Sequence, residues 1–506
     1  MSRFAPPSRR LAIALAAAAL SGLLQVLVFP RFSWDWLAPV CLVPLLVALK
    51  GLAWRQRLVV GWLSGAVFWA GVGYWIYAVM RDYAGITPLV AGLLYVAFFL
   101  VMAIQPAAFG VLAGPFLGSP WAVLAVAVLW VALEGSYQHF FFTWLQLGNA
   151  AVDFPLPHAL RLAPWTGIYG PSLVFAAANA AVAITVLQRS ARPLLGLLPL
   201  AGLVLLPALP APGPQRDVAR LVQPNVHPDL IKVGWLAENG TAHLAKMLEM
   251  SRASSAGAPP TLLVWPEYPV SAYYFDDRAS RAFLERVARE SGAAFIFNTI
   301  SFEDGDRARP QNSSVTLDRN GERLSSYSKI HLVPFGEFVP WPFHLFVEKI
   351  TMEAGMFRPG KQISVATVDT HGIGTFICYE SVFANSIRKF TRDGAELLVN
   401  ISNDSWYARS AARDQHLLVA RMRAVENGRW ILRATNDGIT TAIDPAGRVV
   451  AALPSYVQDT LDVGFDYRSD LTGFVRHGEW LWWICLLGTA VKLARDYATS
   501  RRNRLQ

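Results

Sequence analysis

The sequence predicts a multi-pass α-helical membrane bundle of about eight spans that carries a layered α/β domain with two sheets' worth of strands. Three observations predict it. Of 506 residues, 54% are hydrophobic and only 16% charged, with 18 Trp, which is not the composition of a soluble protein. Charges are scarce over residues 1–212 and again over Trp480–Val491. The part between alternates strand and helix patterns like an ordinary globular α/β protein. The expected domains are therefore a seven-span bundle at 1–212, a globular domain at 213–478, and a final span with a basic tail at 479–506.

An apolar stretch of about 20 residues spans a bilayer as a helix. Seven candidates precede the globular part: Leu11–Val28, Trp36–Leu52, Leu58–Val79, Pro88–Leu112, Trp121–Tyr137, Gly167–Leu187 and Leu194–Leu209. An eighth has its apolar core at Trp480–Val491. Arg9-Arg10 before an Ala-rich run looks like the start of a signal peptide. The run continues through Leu23–Val28 and further spans follow at once, so it is read as the first span.

Positive charge orients the bundle. Arg9, Arg10, Lys50, Arg55, Arg57, Arg189, Arg192 and the tail after Lys492 all fall on one side if there are eight spans. The opposite short loops hold only Arg31, Arg81 and Arg161. Both termini are thus expected in the cytoplasm and the 213–478 domain outside it. The net charge of +9 does not point to nucleic acid, because many basic residues flank apolar segments. The loop Phe140-Phe-Phe-Thr-Trp144-Leu-Gln-Leu-Gly148-Asn149 falls on the outer side. It is open to two readings, an interfacial aromatic belt or a lip facing the outer domain.

In the globular part, Ala219–Val226, Thr261–Trp265, Ala294–Ile300, Ser314–Leu317, Ile363–Val368, Glu396–Ile401, Trp430–Ala434, Thr441–Ile443 and Val449–Leu453 read as strands. Leu236–Ala253, Arg278–Glu290 and Ala411–Asn427 read as helices, and Asp444-Pro-Ala-Gly-Arg448 as a turn. The central stretch is Gly372-Ile-Gly-Thr-Phe-Ile-Cys378-Tyr379-Glu380-Ser381, a buried strand breaking sharply into a helix over roughly Ser381 to Asp393. A helix N-terminus beside Cys378 would favour the thiolate. A buried inert cysteine is the competing reading. Cys41 and Cys485 fall inside apolar runs, and no CxxC or His/Cys cluster has metal spacing, so no metal and no cofactor is expected.

Two further positions carry chemistry. Glu267, in Trp265-Pro266-Glu267, sits just past an apolar strand, where α/β folds place ligands. Lys329 and Glu337 flank the apolar run Ile-His-Leu-Val-Pro-Phe-Gly. A solvated loop glutamate and a surface charge pair are the bland readings. Together the three make a site: a thiol nucleophile, a carboxylate base and a cation for the oxyanion. Glu337 would orient Lys329 or complete an acid/base pair. His331 and His416 leave a rival Cys–His site open.

These residues, with Lys-x-His-Leu-Val-Pro-Phe-Gly-Glu, Cys-Tyr-Glu, Ser402-Asn403-Asp404-Ser405-Trp406-Tyr407, Gln415-His416, Ala420-Arg421-Met422-Arg423 and Arg433-Ala434-Thr435-Asn436, resemble the nitrilase, or carbon–nitrogen hydrolase, superfamily. Within it the chain resembles the apolipoprotein N-acyltransferase family, in the Trp144-Leu-Gln-Leu-Gly148 loop and the eight-span layout as well. The resemblance implies an αββα-sandwich, nitrilase-like domain in the periplasm and a multi-pass protein of a bacterial inner membrane. It implies transfer of an acyl chain from a membrane phospholipid, typically phosphatidylethanolamine, through a Cys thioester to the α-amino group of an apolipoprotein's diacylglyceryl-cysteine. By motif, Glu267 is the base, Lys329 the oxyanion stabiliser and Cys378 the nucleophile. Glu337, Tyr379, Glu380 and Trp144 match positions important in the family. Trp235 is the candidate for a further family tryptophan, though its spacing differs. Tyr268-Pro269 stands where the family has small residues, and Asp437 where Thr is usual.

Rival functions fit less well. A membrane-tethered amidase would not need eight spans. A transporter would need ionisable residues within spans, and Glu134 is the main one. An inactive relative would not retain all three reactive residues. Finally, Phe338–Phe357, with Trp341, Phe343 and Phe346, is too apolar for an ordinary loop. It is either a cover on the domain's own core or an arm that guides acyl chains.

Overall fold

The computed structural model describes residues 9–505 apart from 84, 140–141, 227–237, 253–259, 270–272, 308 and 339–356. The chain forms two compact units. One comprises Met1–Tyr77, Thr87–Ala208 and Glu479–Gln506, the other Ala78–Ile86 and Leu209–Gly478.

The first unit is helical. Among the described residues, four helices are long and apolar enough to cross a membrane: Arg9–Val28, Pro88–Phe116, Ala122–His139 and Tyr169–Gln188. A fifth is reached if Trp54–Val72 and Trp75–Asp82, bent by 55° at Gly73, count as one span. The stretch expected as a span at Trp36–Leu52 is instead a 3-10 turn at Asp35–Leu37 and a seven-residue helix, Val43–Leu49. The irregular backbone between them is satisfied by side chains of neighbouring helices. Asn179 donates to the Ala38 carbonyl (2.7 Å) and accepts from the Leu42 amide (2.6 Å), and Ser21 donates to the Cys41 carbonyl (2.7 Å). Apolar surroundings tolerate non-helical backbone only with such partners. Over Leu194–Leu209 the structure has a 14-residue 3-10 helix, Arg192–Leu205, and the last helix, Trp480–Leu505, turns charged in its second half.

One carboxylate within the helices, Glu134, is an anchor. Glu134 accepts from Trp130 Nε1 (3.2 Å) and the Leu147 amide (2.6 Å) through one oxygen, and from Ser172 Oγ (2.5 Å) through the other. It thereby ties down the loop that holds Trp144, which is buried with its ring 5.1 Å from that of Trp75.

The second unit holds two six-stranded sheets. In chain order the strands are β1 (Asp217–Gln223), β2 (Leu262–Val264), β3 (Ala294–Phe302), β4 (Pro310–Leu317), β5 (Arg323–Ser328), β6 (Val365–Val368), β7 (His371–Ile377), β8 (Leu397–Ser402), β9 (Ile431–Thr435), β10 (Thr441–Ile443), β11 (Val449–Ala452) and β12 (Asp459–Phe465). The sheet orders are β12-β1-β2-β3-β4-β5 and β11-β10-β9-β8-β7-β6. In each, the three central strands run parallel: β1-β2-β3 and β7-β8-β9. Helices Glu238–Arg252 and Arg278–Ser291 cover the first sheet through Met247, Leu248, Leu284 and Val287 against Leu263, Trp265, Phe295 and Phe297. Helices Ala384–Arg392 and Ala412–Asn427 lie on the second. This is the helix–sheet–sheet–helix sandwich that the resemblance implies.

Strands β5 and β12 go beyond the sequence expectations. Strand β12 alternates Leu461, Val463 and Phe465 with polar or small residues, a readable period-2 signal. Strand β5, Arg-Leu-Ser-Ser-Tyr-Ser, has too few apolar residues to show one.

Candidate functional site

The parallel strands deliver polar residues at their carboxyl ends, where α/β layers place ligands. Glu267 follows β2, and Trp265 locks the segment by filling the core and donating to Ser251 Oγ (2.9 Å). Lys329 follows β5. Its amide extends the ladder to the Asn312 carbonyl (2.8 Å) and its carbonyl accepts from the Gly360 amide (2.8 Å). Gly360 admits no side chain, since a Cβ there would lie 2.0 Å from the Ser328 carbonyl oxygen. Cys378 ends β7, and Asn403 ends β8.

The structure brings Glu267, Lys329 and Glu337 together. Lys329 Nζ donates to Glu337 Oε1 (2.9 Å) and Glu267 Oε1 (3.3 Å). Their side chains are only 1%, 12% and 3% exposed in the order Lys329, Glu337, Glu267. Asn312 Nδ2 donates to Glu267 Oε1 (2.8 Å) and to Glu337 Oε1 (2.9 Å). The Asn403 amide donates to Glu267 Oε2 (3.0 Å), and the Val333 amide to Glu337 Oε2 (2.8 Å). Burial raises the Glu267 carboxyl above its ordinary value. Glu337 adds to the rise, while Lys329, Asn312 and Asn403 pull it down. Burial works against the charge on Lys329, but Glu267 and Glu337 outweigh it and hold the ammonium well above its ordinary range.

Cys378 is buried and adopts a left-handed backbone, φ 50°, which non-glycine residues rarely adopt outside functional turns. Burial pushes its thiol far up. The Glu267 charge adds to this, and Lys329 offsets part of it. This corrects the expectation of a thiolate favoured by a helix N-terminus. A 3-10 turn, Cys378–Val382, comes first, and the α-helix begins only at Ala384. These effects favour the neutral thiol, which would need a base to act as a nucleophile.

The turn is held from below by Glu380. One of its oxygens accepts from Tyr327 Oη (2.6 Å) and the amides of Ile330 (2.8 Å) and His331 (3.2 Å), and the other from the Ile377 amide (2.8 Å). Glu380 thus fastens the lysine loop to the cysteine turn. Tyr379 is buried edge-on to Phe383, with centroids 5.3 Å apart.

Neither histidine is placed as the thiol's base. His416 Nε2 donates to the Cys378 carbonyl (3.1 Å), and its Nδ1 lies 3.0 Å from Arg433 Nη2 and 3.2 Å from Asp404 Oδ1. Burial, then Arg433, lower its pKa. His331 Nε2 meets Ser386 Oγ (2.6 Å), its ring stacks on Phe383, and burial lowers its pKa to about 4. Trp144 belongs to the helical unit. Trp235 and 339–356, which hold most of the expected arm, lie outside the described residues. The sequence reading missed Asn312 as a site residue. The strand was expected only from Ser314, so nothing marked Asn312 as facing two carboxylates.

A family model described as carbon-nitrogen hydrolase matches residues 219–468, and one described as apolipoprotein N-acyltransferase N-terminal domain matches 21–181. A Geobacter metallireducens protein named apolipoprotein N-acyltransferase is 32% identical over 500 residues, covering 94% of each chain. A Pseudomonas putida protein of that name is 31% identical over 514 residues, covering 97% of each. Among solved structures, an amidase from Nesterenkonia sp. covers 57% of this chain and 99% of its own, at 20% identity and TM-score 0.39.

Proposed function

The chain belongs to the apolipoprotein N-acyltransferase family, and from that premise we propose that it moves an acyl chain from a membrane phospholipid to the α-amino group of an apolipoprotein's diacylglyceryl-cysteine. The observation that carries the reading is the strained, buried Cys378 in one domain with the Glu267–Lys329–Glu337 cluster. Glu267 takes the thiol proton as Sγ attacks the ester carbonyl carbon. The carbonyl electrons move onto oxygen, and Lys329 stabilises that oxyanion. Collapse breaks the ester bond, and the lysophospholipid leaves with the proton from Glu267. In the second half the acceptor amine attacks the thioester. Glu267 takes the amine proton, and the Cys378 sulfur leaves and is reprotonated. Glu337 orients Lys329, while Glu380 and Tyr379 shape the turn. Trp144 and Trp235 are assigned to substrate contacts by motif alone.

The proposed organisation is a bundle at 1–212, a periplasmic catalytic domain at 213–478 and a final span at 479–506. The protein would sit in the inner membrane with both termini cytoplasmic and a phospholipid donor, phosphatidylethanolamine by the family resemblance. Intact mass spectrometry tests the mechanism. Incubation with phosphatidylethanolamine should add one acyl mass to the wild type, removable by neutral hydroxylamine, and none to Cys378→Ala. A diacylglyceryl-cysteinyl peptide should then discharge it. An adduct that persists in Cys378→Ala refutes the assignment.

A further inference from the structure

Tyr268 immediately follows Glu267 and has no role in the scheme above. It too adopts a left-handed backbone, φ 49°, which is rare for an aromatic residue. Two contacts hold that conformation. The Tyr268 amide donates to Asn298 Oδ1 (3.1 Å), and the next carbonyl, of Pro269, meets His243 Nε2 (3.0 Å). Asn298 Nδ2 in turn donates to Asn312 Oδ1 (2.7 Å), the residue that bridges Glu267 and Glu337. The Tyr268 backbone is thus built into the same network as the site. Its hydroxyl is buried and has no hydrogen-bond partner among the described residues. The phenol lies within electrostatic reach of Glu337, Glu267, Lys329 and Cys378.

A buried polar group without a partner is uncommon and calls for an explanation. We propose that the Tyr268 hydroxyl is a substrate-contacting catalytic residue, a hydrogen-bond donor to the carbonyl oxygen of the acyl group as that oxygen becomes an oxyanion. This rests on the acyl-transfer reading above. Burial, then the Glu337 and Glu267 charges, hold the phenol well above its ordinary pKa, so it stays a neutral donor throughout. No proton changes hands at Tyr268. The bond from Cys378 Sγ to the carbonyl carbon forms, the π electrons settle on oxygen, and that oxygen accepts from both Lys329 and Tyr268. When the ester bond breaks, the electrons return and both hydrogen bonds weaken. A donor with no partner among the described residues that is filled at the transition state is what differential binding requires.

The test is Tyr268→Phe, which keeps the ring and removes only the hydroxyl. Acylation of Cys378 in the full-length protein is followed by intact mass with two donors, phosphatidylethanolamine in mixed micelles and p-nitrophenyl palmitate. Alkylation by iodoacetamide, which forms no oxyanion, serves as the control, with a thermal melt alongside. The expected result is acylation slowed about 10²-fold from both donors. Alkylation should be unchanged and the melting temperature unchanged or raised. Acylation at the wild-type rate overturns the proposal. So does an equal loss in alkylation, which would mean that Tyr268 only positions the thiol. A wild type acylated by the p-nitrophenyl ester but never by phospholipid overturns the phospholipid reading alone. The ester arm still decides the role of Tyr268.

Discussion

Replacing Lys329 with Met should damage stability and chemistry through separable causes. The ammonium lies 2.9 Å from Glu337 and 3.3 Å from Glu267, with all three side chains largely or wholly buried. At an effective dielectric near 20, each contact is worth about 5 kcal/mol of Coulomb attraction, offset by several kcal/mol of desolvation. Breaking a buried pair by removing one partner costs about 3–5 kcal/mol. Here two carboxylates would be left around one Asn312 amide. A domain of this size loses about 2–4 °C in melting temperature per kcal/mol. The remaining pair would hold a proton, with its folded pKa above the unfolded value of about 4.3. The folded state then binds more protons, so the variant's stability should fall as pH rises from that value through the folded one. Lys329→Met/Glu337→Gln should recover most of the lost stability, because one negative charge goes with the positive one. It should not recover acylation, which stays down at least about 10²-fold without the oxyanion cation. Thermal melts at pH 5 and pH 8, with acyl-enzyme formation by mass, check both. A single variant that melts like wild type, or a double variant that acylates normally, refutes the reasoning.

Other outcomes follow from the same geometry. Because burial raises the Glu267 carboxyl, acylation should fall with acid at a pH above the ordinary glutamate value of about 4.3, and Glu267→Gln should abolish that limb along with most activity. Asp404 is fully buried, accepts from Arg433 Nη2 at 2.8 and 3.0 Å, and is held well below the usual carboxylate range against the opposing effect of burial. Its contribution to stability is present above the unfolded pKa of about 3.9 and is lost as pH falls towards the folded value. Arg433→Met should cost about 3–5 kcal/mol, read by chemical denaturation at pH 7. Gly360→Ala should push Ser328 and Lys329 out of register, given a Cβ 2.0 Å from the Ser328 carbonyl. Acyl-enzyme formation should then slow, with Cys378 still alkylated by iodoacetamide.

The sequence alone determined the elements whose cause is local. Strong hydropathy marked the helices Arg9–Val28, Ala122–His139 and Tyr169–Gln188, because a bilayer-length apolar run has few other uses. Alternation and turn residues marked most strands, down to Thr441–Ile443 and the turn after it. Glu267 and Cys378 were legible as reactive types placed at strand ends, whereas Lys329 was marked only by the apolar run that it flanks with Glu337. What depends on partners distant in sequence was decided only by the tertiary structure. Trp36–Leu52 looked like a span, yet Asn179 and Ser21 supply the hydrogen bonds that let its backbone leave the helix. Strand β5 has almost no apolar signal and exists because β4 pairs with it. His416 looked like a possible base and instead supports the Cys378 carbonyl, because Asp404 and Arg433 fix its other nitrogen. The thiol's resting state was misread for the same reason. A pKa sums burial with the charges of Glu267, Lys329 and Asp404, which come from three separate segments of chain, and none of these is visible in the residues beside Cys378.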